Sequence, residues 1–191
     1  MNKVNPIQVA KWFMQQGLDN PPNSFDGNMK LQKLLFFSQL IYMCENNGKT
    51  MYDDEFNAFE HGMVLDNVRK EYQNNYTTLA KCNTKTSNIP ETVLNALILT
   101  KEIFGNCSAK ELSEMSHEFK SWNKYFNQSI NEYGCYNMAK SKIPYDELKE
   151  ELYKIQKVLQ AYELTKSIPN DMEEDYWYYK KDNLYTLFLL N

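Results

Sequence analysis

The chain has 191 residues, of which 24% are charged and 42% apolar, with a formal net charge of −4. That length and balance suit one globular domain with a real core, and they exclude a disordered chain or two large domains. The acidic sign argues against broad binding to a phosphate backbone, which needs clustered Lys and Arg, so no direct nucleic-acid partner is expected.

Pro6 near the start and Gly17 at the end bracket a first helix over Asn5 to Gln16, with Ile7, Val9, Ala10, Phe13 and Met14 apolar. A loop follows, marked by Pro21-Pro22 and Asp26-Gly27. Asn28 to Glu45 then runs without Gly or Pro, and its apolar residues cover nearly the whole circumference. A helix of that kind is enclosed by its neighbours, so it is the expected centre of the fold. Its polar residues Lys30, Gln32, Lys33, Ser38 and Gln39 gather toward the start, and that end is expected to reach solvent. Asn46-Asn47-Gly48 supplies a left-handed stop.

Met51-Tyr52 and Phe56 to Phe59 suggest short strands around an Asp53-Asp54 turn, a small β-hairpin near 50–60, with a helix over Asp54 to Glu60 as the alternative. Met63 to Asn74 reads as a helix with Val64, Leu65, Val68 and Tyr72 inward, and Asn75 to Asn88 as a polar loop. Ile89-Pro90-Glu91 opens a helix that runs to Gly105, and Ser108 to Glu111 is a capping box for the next. A last helix runs from Tyr145 to about Lys166, with Leu148, Leu152, Ile155, Leu159 and Tyr162 on one stripe. The expected fold class is mainly α: a compact multi-helix domain around the central helix at about 28–45, with one small hairpin. Residues 1–167 form that helical domain. Residues 168–191 form an aromatic tail, in which Glu173-Glu174-Asp175 precede Tyr176-Trp177-Tyr178-Tyr179, expected to pack on the domain or on a partner.

Catalytic motifs are absent: there is no glycine-rich phosphate loop, no GxSxG elbow and no HExxH. The two histidines, His61 and His117, lack metal-ligand spacing and read as hydrogen-bonded structural groups. Cys44, Cys82, Cys107 and Cys135 form no CxxC pair and read as free thiols in a reducing compartment. No apolar run reaches the ~20 residues that a bilayer span takes. The expectation is a cytoplasmic protein that is not an enzyme, with no catalytic residue, no metal, no cofactor and no membrane partner. Lys30 and Lys33 sit one turn apart, and either contact an acidic partner or snorkel from the core helix.

Four motifs then fall in order. Leu31-Gln32-Lys33-Leu34-Leu35-Phe36-Phe37 resembles the LxKLLYF opening of Panacea-domain, SocA-like antitoxins. Gly48 to Met51, Ala58-Phe59 and His61-Gly62-Met63-Val64 resemble the turn, strand and Gly-Pro-Val that follow, with Met63 in place of the usual Pro. Ser108 to Ser113 with Ser116-His117 and Trp122 resembles the SAxELSxxSH…W segment, and Ile143 to Leu148 sits where the family's last helix begins. The resemblance covers about residues 4–155, and the tail beyond Ser167 has no counterpart. It implies an antitoxin of a toxin–antitoxin system, encoded beside a toxin gene, that neutralises a cognate protein toxin by direct contact. The SocA branch implies the alternative of an adaptor that delivers a toxin to an AAA+ protease. Relatives in phages and prophages imply a further one, an inhibitor of host defence using the same domain. The candidate partner-binding residues are Lys30, Lys33, His61, Trp177, Tyr178 and Tyr179. Leu34, Leu35, Gly62, His117 and Trp122 are the structural residues of the motifs. Lys33→Glu is expected to weaken partner binding without unfolding the domain, and the oligomeric state is open.

Overall fold

Helix α2 (Phe25–Glu45) begins where Ser24, in extended conformation, accepts a hydrogen bond from Gly27 N at 2.9 Å through its Oγ. It ends at Asn46, and the next two residues take the left-handed conformation that the stop signal requires (Asn47 φ 54°, Gly48 φ 73°). Every residue from Gly27 to Met43 is buried except Met29, which is partly covered. The computed structural model describes residues 3–81 and 89–166, and α2 is the axis of that body. Helices α1 (Pro6–Gln15), α3 (Asp66–Lys81), α4 (Glu91–Phe104), α5 (Ala109–His117) and α8 (Leu152–Lys166) all pack against it. Phe36 meets Phe56 and Phe119 edge-on, and Phe37 stacks on Phe104 at 4.4 Å. Fully burying such a side chain contributes roughly 1.5–3 kcal/mol.

The amino end of α2 does not reach solvent as its polar residues suggested. Lys30 Nζ donates to Gly105 O (2.7 Å), Lys33 Nζ to Met63 O (2.8 Å), and Leu65 N donates to Gln32 Oε1 (2.8 Å). Gln39 Oε1 accepts from both Met51 N and Tyr52 N, at 3.1 and 3.2 Å. Buried polar groups must find partners. Those of α2 find them in the backbone of irregular segments, which they fasten to the axis.

The hairpin lies slightly further along than expected. Strand β1 (Phe56–Phe59) pairs antiparallel with β2 (Gly62–Val64), in the register Ala58 to Met63 and Phe59 to Gly62. A third strand, β3 (Lys142–Ile143), joins the other edge of β1, giving the order β2-β1-β3. Met51 and Tyr52 are not a strand, because Gln39 takes the amides that a neighbouring strand would have used. Helix α3 continues past Asn75 with a kink there, where a loop was expected. Tyr72 and Tyr76 both donate to Asp19 Oδ2, and Leu79 is buried, so packing carries the helix across a polar stretch.

The expected single helix after Ile143 is two: α7 (Tyr145–Lys149) and α8. The break frees Glu151 to accept from Lys120 N (2.7 Å) and Ser121 N (2.9 Å). Those amides open helix α6 (Lys120–Ser129), whose own N-cap residue, Phe119, has no side-chain cap. A carboxylate there satisfies orphan donors and suits the helix dipole. The capping box of Ser108 and Glu111 forms as read. No helix among the described residues is long and apolar enough to cross a membrane. Cys44, Cys107 and Cys135 form no disulfide among the described residues. Cys82 and the tail from 168 lie outside the described residues.

Candidate functional site

The turn between β1 and β2, Glu60-His61, is where the separate sequence motifs meet. Gly62, at φ +95°, lets the chain reverse into β2, and the space beside it is already filled. A Cβ there would fall 2.0 Å from Ser116 Oγ and 2.9 Å from Lys33 Cε and Nζ. Only glycine fits that junction of α2, α5 and the hairpin.

Side chains from three helices hold this turn by its backbone. Trp122 Nε1 on α6 donates to Phe59 O (2.8 Å), and Ser113 Oγ on α5 donates to His61 O (3.0 Å). His117 of α5 bonds the Glu60 carbonyl through its imidazole. Lys33 and Gln32 of α2 take Met63 O and Leu65 N, and Tyr136 OH reaches Ala58 O at 3.0 Å. The turn is therefore rigid by construction, with its carbonyls directed inward and its side chains outward.

What it presents is aromatic and mixed in charge. Glu60 and His61 are exposed, and Phe59 is half-buried. Phe25, 63% exposed at the start of α2, meets His61 edge-on at 5.5 Å. Arg69 lies 5.4 Å over the Phe59 ring, whose other neighbour is Tyr136 at 5.2 Å. Behind the turn, His117, Trp122 and Phe126 form a stacked column with centroid spacings of 3.8 and 5.3 Å. Between the turn, the first turns of α2 and α3 lies a cleft of about 270 Å³, walled by Phe25, Met29, Phe59, Val64 and Arg69, with Lys33 at its floor.

The charges here are set by burial. Lys33 is fully buried, and desolvation alone pushes its ammonium down to about 7. His117 is lowered by burial and by the Lys33 charge, against the Glu60 carbonyl, so it favours the neutral ring. Its Nε2 is buried without a partner, a position that costs least when it carries a lone pair and no proton. Burial works against ionised Asp66, but hydrogen bonds from Lys70 and Arg69 hold it below its ordinary value.

Of the residues singled out from the sequence, His61 is exposed on the rim of the cleft. Lys30 and Lys33 are buried and bonded to backbone carbonyls, so neither presents a free surface charge. The expectation that Lys33→Glu would spare the fold changes accordingly. A carboxylate facing the Met63 carbonyl oxygen would have no donor, and loss of fold is the expected result. Leu34 and Leu35 are core, while Gly62, His117 and Trp122 all serve the turn. Trp177, Tyr178 and Tyr179 lie outside the described residues. Among the described residues, no three His, Cys, Asp or Glu side chains group as a metal site.

Sequence reading passed over Gln32, Ser113, Phe25, Arg69 and Tyr136. Gln32 and Ser113 sat inside quoted motifs, where their polarity in apolar surroundings was the available signal. The others carry no local mark, because their role depends on contacts with distant segments.

Residues 31–123 match the model of the antitoxin SocA-like family, Panacea domain. That span, which holds the polar face of α2, the hairpin, the capping-box helix and Trp122, is thus similar to the SocA-like Panacea domain. No curated protein and no solved structure matches the chain.

Proposed function

We propose, from the premise of a SocA-like Panacea domain, that this chain is an antitoxin that neutralises a cognate protein toxin by direct binding, and that the β1–β2 turn is the centre of its contact surface. The observation that carries the reading is the clamped turn. The carbonyls of Ala58, Phe59, His61 and Met63 are bonded by side chains of other segments, while Phe59, Glu60 and His61 face outward. A rigid backbone presenting aromatic and polar side chains loses little conformational entropy on binding. Exposed aromatics beside an Arg are also the residue types that dominate interface energetics. None of the residues at the turn is arranged as nucleophile, base and oxyanion donor, so the geometry suits recognition better than catalysis.

The test is co-expression with the product of the adjacent gene. Relief of growth arrest and stoichiometric co-purification are expected. A double His61→Ala, Glu60→Ala variant, altered only in exposed side chains, is expected to bind about tenfold more weakly or worse at unchanged fold. Growth arrest that persists with no co-purification would refute the antitoxin reading. Full affinity in the double variant would move the contact surface elsewhere.

A further inference from the structure

Two basic side chains from different helices hold neighbouring carbonyls of the β1–β2 turn. Lys33 of α2 donates to Met63 O at 2.8 Å, and the His117 imidazole of α5 bonds the Glu60 carbonyl. Gly62 lies between those carbonyls in the chain. Its Cβ position is 2.9 Å from Lys33 Nζ and 2.0 Å from the Oγ of Ser116, the residue before His117. Lys33 and Ser116 are completely buried, and His117 Nε2 is buried without a hydrogen-bond partner. No carboxylate of the described residues lies within ion-pair distance of Lys33 or His117. A dry junction with two bases and no paired acid accommodates one proton far more easily than two.

Charged groups face this junction from each element around it. Helix α5 contributes Glu114, the turn contributes Glu60 and His61, and α3 contributes Arg69, which is paired with Asp66. Trp122 of α6, stacked on the His117 ring at 3.8 Å, brings no charge. Burial, the Lys33 charge and His61 oppose the imidazolium, and they outweigh the Glu60 carbonyl and Glu114, which favour it. His117 is therefore held below its ordinary 6.5, while Lys33, at about 7, takes the first proton.

We infer that Lys33 and His117 form a proton-operated latch on the β1–β2 turn, closed while His117 is neutral and released when both side chains are protonated. With both protons on, two like charges share the junction, and the second N–H of the ring has no acceptor there. Release lets both groups reach water. Phe59, Glu60 and His61 then lose the fixed backbone that presents them. The latch belongs to the fold and stands whether or not this turn contacts a toxin.

Amide hydrogen exchange of the full chain, corrected for the intrinsic effect of pH on exchange, is compared at about pH 6.5 and about pH 5.0. Lys33 is already mostly protonated over that range, so the difference reports on His117. Protection of the amides of 57–64 is expected to fall about threefold or more at the lower pH, while α2 amides of 34–41 hold theirs. H117Q, whose side-chain amide can still donate to the Glu60 carbonyl but does not titrate, should lose this fall. Imidazole NMR on the unmodified chain keeps the test decisive if H117Q fails to fold. His117 should titrate below 6.5 and move upward in K33M, and His61→Ala identifies its signal, because the chain has two histidines. A His117 that titrates at 6.5 or above would overturn the latch. So would equal protection of 57–64 at the two pH values, or the same fall in H117Q. A parallel loss in α2 would overturn it too, because that marks acid unfolding of the whole domain. An unchanged His117 titration in a folded K33M would overturn the pairing of the two bases.

Discussion

Replacing Lys33 by Met tests the clamp at its least ordinary member. The two side chains have similar length, so K33M removes the charge and its bond to Met63 O while leaving the packing volume nearly unchanged. The ammonium ordinarily titrates at 10.5, and in the folded chain burial brings it to about 7. A lowering of 3.5 units at ~1.36 kcal/mol each corresponds to roughly 5 kcal/mol for holding the charge in this site. Between pH 7 and 10.5 the unfolded chain binds more protons than the folded one, so this group makes stability rise with pH across that window. Below pH 7 both states hold the proton and the full cost is present. Integrated from pH 7 to pH 9, the rise is about 2 kcal/mol. Urea denaturation followed by circular dichroism at those two pH values measures it. With a slope of ~2 kcal/mol/M, the unmodified chain should gain about 1 M in midpoint. Thiols and other groups that titrate in the same range are shared by both chains, so they cancel in the comparison. K33M should lack the added rise, and at pH 7 it should lose no more than the ~1–3 kcal/mol of an unsatisfied Met63 carbonyl. The same midpoint shift in both chains would refute the burial of a charged lysine at this position.

Gly62→Ala should be among the most damaging single substitutions. It adds a methyl group 2.0 Å from Ser116 Oγ at a φ of +95°, and a loss of more than ~3 kcal/mol or failure to fold is expected by thermal melting. Glu151→Ala removes the carboxylate that caps α6 through Lys120 N and Ser121 N, which should cost about 1–2 kcal/mol in the same assay. Trp122→Phe keeps an aromatic ring beside His117 but leaves Phe59 O without its donor. Faster hydrogen exchange at the amides of 59–62 is expected, with a loss of about 1–3 kcal/mol. Unchanged exchange there would show that the turn does not depend on this bond.

Local chemistry settled much of this protein before any contact was known. The unbroken apolar surface of Asn28 to Glu45 made it the central helix, and Asn46-Asn47-Gly48 fixed its end. Ser108 and Glu111 formed the capping box, and three of the four ordered motifs fall within residues 31–123, which match the Panacea-domain model. These features depend on neighbours within a few residues, so the sequence displays them directly. Tertiary structure decided where the polar groups went. Lys30, Gln32, Lys33 and Gln39 looked like a solvated end, and they are buried because each found a backbone group of a distant segment. The same long-range pairing moved the hairpin from Met51-Tyr52 to Gly62–Val64, and split the last helix so that Glu151 could cap α6. A buried donor or acceptor is satisfied by whatever lies against it in space. That partner is fixed only when the helices have packed, which is why the motif residues were legible in sequence and their common task, holding one turn rigid, was not.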